Sequence, residues 1–197
     1  MKIIGITGGV GSGKSQVLSY IKERYNAVVC QADQVAWNLQ KPGEICYREI
    51  VKHFGTAILN SDATINRGKL GSIVFENKEE LLILNQIMHP AVQQAILEFI
   101  DNEKSKGTTL FVLESAILLE TGYNAICDEM WYIYADEQSR RERLKESRMY
   151  SDEKIDGIMA NQLAEEQYGE NCLVVIDNSG DFDDACCEID RVIQGVN

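Results

Sequence analysis

This sequence predicts an α/β fold, a three-layer sandwich in which a five-stranded parallel sheet lies between helices. Three observations carry that expectation. Short apolar and β-branched runs, each the length of a buried strand, recur along the chain. They alternate with longer stretches whose apolar residues recur at helical spacing. The first run opens into Gly8-Gly9-Val10-Gly11-Ser12-Gly13-Lys14-Ser15, which fits Gly-x-x-x-x-Gly-Lys-Ser, the phosphate-binding P-loop.

Ile3, Ile4 and Ile6 form the first strand, and Val17, Leu18 and Ile21 follow the loop at helical spacing. A strand–loop–helix context gives the motif its mechanism. Glycines let the backbone bring its N–H groups to phosphate oxygens, and the helix N-terminus adds partial positive charge. Lys14 can then reach the β- and γ-phosphates of a nucleotide, and the Ser15 hydroxyl can ligate Mg²⁺.

Ala27-Val28-Val29-Cys30 reads as the second strand, with Asp33 at or just past its carboxyl end. Ligands of open parallel sheets bind at that end, so Asp33 is placed to work near the phosphates. Asp33 could equally cap a helix beginning at Gln34, and one residue can do both.

Residues 42–104 break the alternation. Pro42-Gly43 marks a turn, and Ile45, Ile50, Val51 and Phe54 follow a helical pattern up to Gly55. Leu70, Ile73 and Val74, then Leu81, Leu82, Leu84, Ile87 and Met88, continue helical periodicity. His89-Pro90 is expected to interrupt or start a helix. This is a mainly helical insertion, the natural place for a second substrate.

Leu110 to Leu113 form the third strand, which ends in Glu114. An acidic residue there suits the support of Mg²⁺, directly or through a water. A loop follows over 115–120, then a fourth strand over 130–134 and a fifth over 173–176, ending at Asp177-Asn178-Ser179-Gly180. A last helix over about 183–193 packs back on the sheet.

Residues 136–163 read as helical and charged. Arg140, Arg141, Arg143, Lys145 and Arg148 place five cations within nine residues. Arg140, Leu144 and Arg148 share one helix face, and Glu137 can pair with Arg141 at i, i+4. A solvated face laced with ion pairs is one reading. The position favours a lid, because phosphates need cations and closure shields phosphoryl transfer from water.

Composition narrows the partners. The 197-residue chain carries a net charge of −12, which argues against nucleic acid or an anionic membrane and for a small-molecule substrate held by local positive charge. Its six cysteines show no Cys-x-x-Cys, so reduced cytoplasmic thiols are expected rather than a metal cluster or a disulfide framework. No apolar run approaches membrane-spanning length, and the first strand begins too early to leave room for a signal peptide. A monomer or weak homo-oligomer is expected.

At this point the chain resembles the dephospho-CoA kinase family nearly end to end. The resemblance rests on Thr7 to Ser15, Ala32-Asp33, Lys41-Pro42-Gly43, Phe54-Gly55, Asn66-Arg67 with Leu70, and Val74-Phe75. It continues through His89-Pro90, Leu118-Leu119-Glu120, Gln138 with Arg141, and Ile176 to Gly180. It implies ATP-dependent phosphorylation of the ribose 3′-hydroxyl of dephospho-CoA, with ATP and Mg²⁺ as cofactors. Asp33 matches the family's catalytic base. Arg67, His89 and Glu120 match substrate-holding positions, Arg141 and Arg148 fall in the lid, and Asn178 and Gly180 lie near the adenine.

Three departures stand out. Gln31-Ala32-Asp33 replaces Asp-Ala-Asp, Glu114 to Glu120 lacks the family's Pro and Phe, and Arg148 stands one residue further from Arg143-Leu144 than usual, which leaves the lid role open between Arg141, Arg143 and Arg148.

The whole is read as a three-layer P-loop NTPase fold with a five-stranded parallel sheet, a helical substrate-binding insertion and a helical lid. One kinase domain spans 1–197: a core of 1–41, 105–135 and 170–197, the insertion over 42–104, and the lid over 136–169.

Two rivals share the P-loop. Another small-molecule kinase, acting on a nucleoside or nucleotide, has the same core. A GTPase-like switch would need Asp-x-x-Gly soon after the P-loop, whereas Asp177 to Gly180 lies at the end of the last strand.

Overall fold

β1 (Lys2–Thr7) is the middle strand of a five-stranded sheet, in the order β2 (Val28–Gln31), β3 (Leu110–Glu114), β1, β4 (Glu129–Tyr134) and β5 (Val174–Asp177). β1 pairs in parallel with β3 and β4, and β4 pairs in parallel with β5. A middle strand covered on both faces must be apolar on both, which is why Ile3, Ile4 and Ile6 are all buried.

The computed structural model describes residues 1–195. They fall into two units, Met1–Val29 with the chain from Lys106 onward, and Cys30–Ser105, so the boundary runs within β2.

The first unit holds most of the sheet. α1 (Lys14–Tyr25) starts after Gly13, whose φ is +85°, and ends at Asn26, itself left-handed with φ 49°. Val17, Leu18 and Ile21 form its buried stripe, packed with Ile4, Ile6, Val112, Trp131, Ile133 and Ile176 of the strands. α9 (Phe182–Gln194) adds Ala185 and Ile189 to the same core.

Between β4 and β5 lie α6 (Glu137–Arg148), α7 (Asp152–Met159) and α8 (Glu165–Asn171). Asp136 caps α6 by accepting from the Ser139 N–H at 2.9 Å. Met149, with φ 55°, ends α6, so the helical stretch expected over 136–163 is broken in the middle. α8 goes beyond that expectation. Its single buried side chain, Tyr168, leaves no helical period to read, and the ring stacks on Tyr132 of β4 at 4.5 Å instead.

The second unit is helical. It contains α2 (Ala32–Leu39), α3 (Ile45–Phe54), α4 (Arg67–Glu76) and α5 (Lys78–Ser105). α2, α3 and α4 all pack on α5, whose Met88, Val92, Ile96 and Ile100 form a buried stripe at a spacing of four.

Two expectations are corrected here. His89-Pro90 neither ends nor starts a helix, because Pro90 lies inside the 28-residue α5. Proline removes one N–H bond, and the turns on either side are held by the buried stripe and by the three packed helices. α2 starts at Ala32 rather than Gln34, so Gln31 is the N-cap, without a side-chain cap bond, and Asp33 stands in the first turn.

Candidate active site

The P-loop takes its shape from backbone angles that only glycine adopts easily. φ is +154° at Gly8, +86° at Gly11 and +85° at Gly13. Gly8 also lies against β4, where a Cβ would come within 2.5 Å of the Ile133 carbonyl oxygen.

Lys14 Nζ donates to the carbonyls of Gly8 at 2.7 Å and Gly9 at 3.1 Å, which folds the side chain back over the loop. Ser12 Oγ is buried without a hydrogen-bond partner among the described residues, and so is Thr7 Oγ1. Buried hydroxyls ordinarily find partners, so a polar group belongs there. With Lys14 and the helix N-terminus, these observations fit a nucleotide phosphate chain.

The Asn178–Gly180 loop is attached to the P-loop. Asn178 Nδ2 donates to the Ser12 carbonyl at 2.8 Å, and Asn178 itself is fully buried. Arg143 Nη2 donates to the Asn178 carbonyl at 2.7 Å. Asn178 Oδ1 and Arg143 Nη1 are buried and without partners among the described residues, one acceptor and one donor for a polar ligand. Ser179 ties the same loop to α6, its hydroxyl accepting from the Asp136 N–H at 2.9 Å. Gly180 is exposed.

For Mg²⁺, the donor set is hard oxygen. Ser15 is exposed in the first turn of α1, and the Glu114 carboxylate stands buried at the end of β3, paired in register with Ile6 of β1. One hydroxyl and one carboxylate suit Mg²⁺, which completes its octahedron with phosphate oxygens and water. Glu120 is exposed, beyond the turn that follows β3.

The five lid-region cations separate sharply. Arg141 is held by acids, with Nε 2.7 Å from Glu137, Nη2 2.5 Å from Asp156 and Nη1 3.7 Å from Asp152. Lys145 joins the same cluster, 2.7 Å from Asp152. Arg148 is exposed, its guanidinium carbon 5.9 Å from the Tyr150 ring centre. Arg140 turns inward instead, and its Nε donates to the Val10 carbonyl of the P-loop at 3.0 Å. Arg140 and Arg143 are therefore the cations that reach the loops. Arg143 is one of the three arginines, with Arg141 and Arg148, between which the sequence leaves the lid role open, and Arg140 is the one it does not single out. The usable signal was Leu144, an apolar residue four positions from Arg140 that marks the buried face.

In the second unit, Asp33 is exposed on α2 and Arg67 begins α4. The Arg67 guanidinium lies 3.9 Å from the Trp37 ring centre. Burial lowers its pKa, and the Asp33 carboxylate opposes that shift, so the two charges act on each other. His89 is exposed on α5.

Known proteins resemble this chain along its whole length. A family model described as dephospho-CoA kinase matches residues 2–184. The dephospho-CoA kinase of Carboxydothermus hydrogenoformans is 37% identical over 98% of this chain and 94% of that protein. A structure of the dephospho-CoA kinase of Campylobacter jejuni superposes with a TM-score of 0.72 at 25% identity, over 100% of this chain and 98% of that one. A Thermus thermophilus protein superposes with a TM-score of 0.84 at 24% identity, over 100% of this chain and 98% of that one, and shows the fold.

Proposed function

The chain belongs to the dephospho-CoA kinase family, and on that premise we propose that it transfers the ATP γ-phosphoryl group to the ribose 3′-hydroxyl of dephospho-CoA. The products are coenzyme A and ADP. The observation that carries the reading in this chain's own residues is the P-loop, with Lys14 over its carbonyls and the Ser12 hydroxyl buried beside it without a partner among the described residues.

Gly8 to Ser15 hold the phosphate chain through main-chain N–H groups. Lys14 exchanges its two carbonyl acceptors for β- and γ-phosphate oxygens, placing a cation where charge moves during transfer. Asn178 and Gly180 hold the adenine. Mg²⁺, when bound, neutralises phosphate charge, and Ser15 with Glu114 would hold it.

Asp33 takes the proton of the attacking hydroxyl and orients its oxygen. A ribose hydroxyl is a poor nucleophile at neutral pH, so an exposed side-chain carboxylate is the suitable group. Arg67, His89 and Glu120 hold dephospho-CoA. Arg141 and Arg148 are lid cations in this reading, and Arg141 must then leave Glu137, Asp152 and Asp156 for phosphate oxygens.

No helix among the described residues is long and apolar enough to cross a membrane. The cysteines are free thiols, and a reducing cytoplasm is the proposed location. A net charge of −12 supports a small-molecule partner over nucleic acid, with the enzyme a monomer or weak homo-oligomer.

The test offers ATP and Mg²⁺ with dephospho-CoA, adenosine or nucleoside monophosphates in parallel and follows ADP release. ADP is expected with dephospho-CoA, together with a new 3′-phosphomonoester signal in phosphorus NMR. Release with a nucleoside or nucleotide in place of dephospho-CoA overturns the acceptor.

A further inference from the structure

We infer that Arg140 is a positioning residue for phosphoryl transfer, coupling the shape of the P-loop to the segment between α7 and α8 through one guanidinium.

The P-loop pattern requires glycine at positions 8 and 13, yet glycine also occupies 9 and 11, which the pattern leaves open. Arg140 accounts for Gly9, and at Gly11 it adds a steric reason to the φ of +86° that already favours glycine. A Cβ on Gly9 would come within 2.5 Å of the Arg140 guanidinium carbon. A Cβ on Gly11 would come within 2.8 Å of the Arg140 carbonyl oxygen. The loop is therefore bare of side chains on the side where α6 lies against it. Arg140 is only 9% exposed, although arginine is rarely buried unless paired.

The fork is used in two directions. Nε donates to the Val10 carbonyl at 3.0 Å, and Nη2 donates to the Gln162 side-chain oxygen. Gln162 lies in the turn after α7, where its N–H donates to the Met159 carbonyl at 3.1 Å. A planar guanidinium spans two acceptors in fixed geometry, which a lysine cannot do. The Val10 carbonyl and the turn at Gln162 are thus held at a set distance from each other.

Charge points the same way. Both acceptors are neutral, and among the described residues no carboxylate pairs with Arg140. Its positive field is therefore not cancelled locally. A buried charge without a counter-ion is costly, and the anion that answers it is the phosphate chain of a bound nucleotide. Arg141, the next residue in the sequence, shows the contrast, since three carboxylates surround it. The inference rests on ATP binding at Gly8 to Ser15, as proposed above.

The experiment compares Arg140→Gln, Arg140→Lys and Gln162→Leu with the parent protein. ATP affinity is measured by titration without acceptor, then KM and kcat with dephospho-CoA, then the melting temperature. Arg140→Gln should weaken ATP binding about tenfold and lower kcat, with the KM for dephospho-CoA unchanged. Arg140→Lys keeps the charge without the fork and should fall between. Gln162→Leu should weaken ATP about threefold, and add nothing in the Arg140→Gln background, because the pair acts as one unit.

A lower melting temperature with unchanged ATP affinity in folded Arg140→Gln would mean packing alone and would overturn the inference. If Arg140→Gln does not fold, Gln162→Leu decides, and an unchanged ATP affinity there overturns it equally. Normal ATP binding with no phosphorylation of dephospho-CoA overturns the proposed acceptor and leaves the Arg140 result standing.

Discussion

A glycine-rich loop can bend without Lys14, but it cannot then present a cation to the transferring phosphoryl group. Lys14→Ala should lower kcat about 10²–10³-fold. Its side chain is only half-buried and bonds two carbonyls of its own loop, so circular dichroism should report an unchanged fold. Near-normal turnover in a folded variant would remove the P-loop from the mechanism. Asp33→Asn keeps shape and loses the proton acceptor. It should lower kcat about 10²–10⁴-fold while ATP affinity is kept. The capping role that position alone allowed falls away, because Gln31 occupies the N-cap and Asp33 the first turn. What the charge then adds to stability is its interaction with the helix dipole, about 0.3–1 kcal/mol, and with the Arg67 guanidinium. A fully active Asp33→Asn enzyme would pass the base role to Glu114 or Glu120.

At the scale of elements, α5 shows how packing overrides a local breaker. Proline inside a helix costs about 3 kcal/mol relative to alanine, yet Pro90 sits inside 28 continuous helical residues. Its side chain is exposed, so replacing it removes no core contact. Pro90→Ala should therefore raise the melting temperature, by about 2–6 °C once the greater freedom of the unfolded chain is allowed for. An unchanged or lower value would mean that the proline shapes the helix for its neighbours α2, α3 and α4. The helices after β4 teach the reverse. α6 reads as a polar helix along its sequence, and its inward face is marked only by Leu144 and the buried Arg140.

At the scale of the whole molecule, α9 is fastened to α1 by one carboxylate. Asp190 accepts from the Tyr20 hydroxyl at 2.7 Å and the Tyr25 hydroxyl at 2.6 Å, with Arg24 at 3.7 Å. The bonds from Tyr25 and Tyr20 hold the Asp190 carboxyl below the usual range, and the bond to Asp190 pushes the Tyr20 hydroxyl up to about 12. A lowered carboxyl stabilises the fold above its unfolded pKa of about 3.9, and that stability is lost as pH falls through the folded value. A raised tyrosine stabilises below its unfolded value of about 10, and that is lost as pH rises through the folded value near 12. Both contributions are full between about pH 4 and pH 10. Asp190→Asn should lower the melting temperature by about 2–6 °C at neutral pH, and the difference should shrink on acidification below about pH 4. A difference that stays constant down to about pH 2 would show that Asp190 titrates alike in both states.

What the sequence determined by itself is the part written within a few consecutive residues. The P-loop between a β-branched run and a helical stripe, the five strands, and Glu114 closing the third of them are all patterns of short range, set by backbone stereochemistry and burial period. The Glu137–Arg141 pair is local too, and it forms. Other features belong to tertiary structure. Which of five neighbouring cations meets the P-loop depends on a contact between residues 130 positions apart. The continuity of α5 through Pro90 depends on three helices packed against it, and the strand order β2-β3-β1-β4-β5 on which edges pair. α8 depends on a tyrosine stack with β4. Burial decides each of these, and burial is a property of segments distant in the chain brought together, so a local pattern such as Leu144 four positions from Arg140 can mark a buried face but not what covers it.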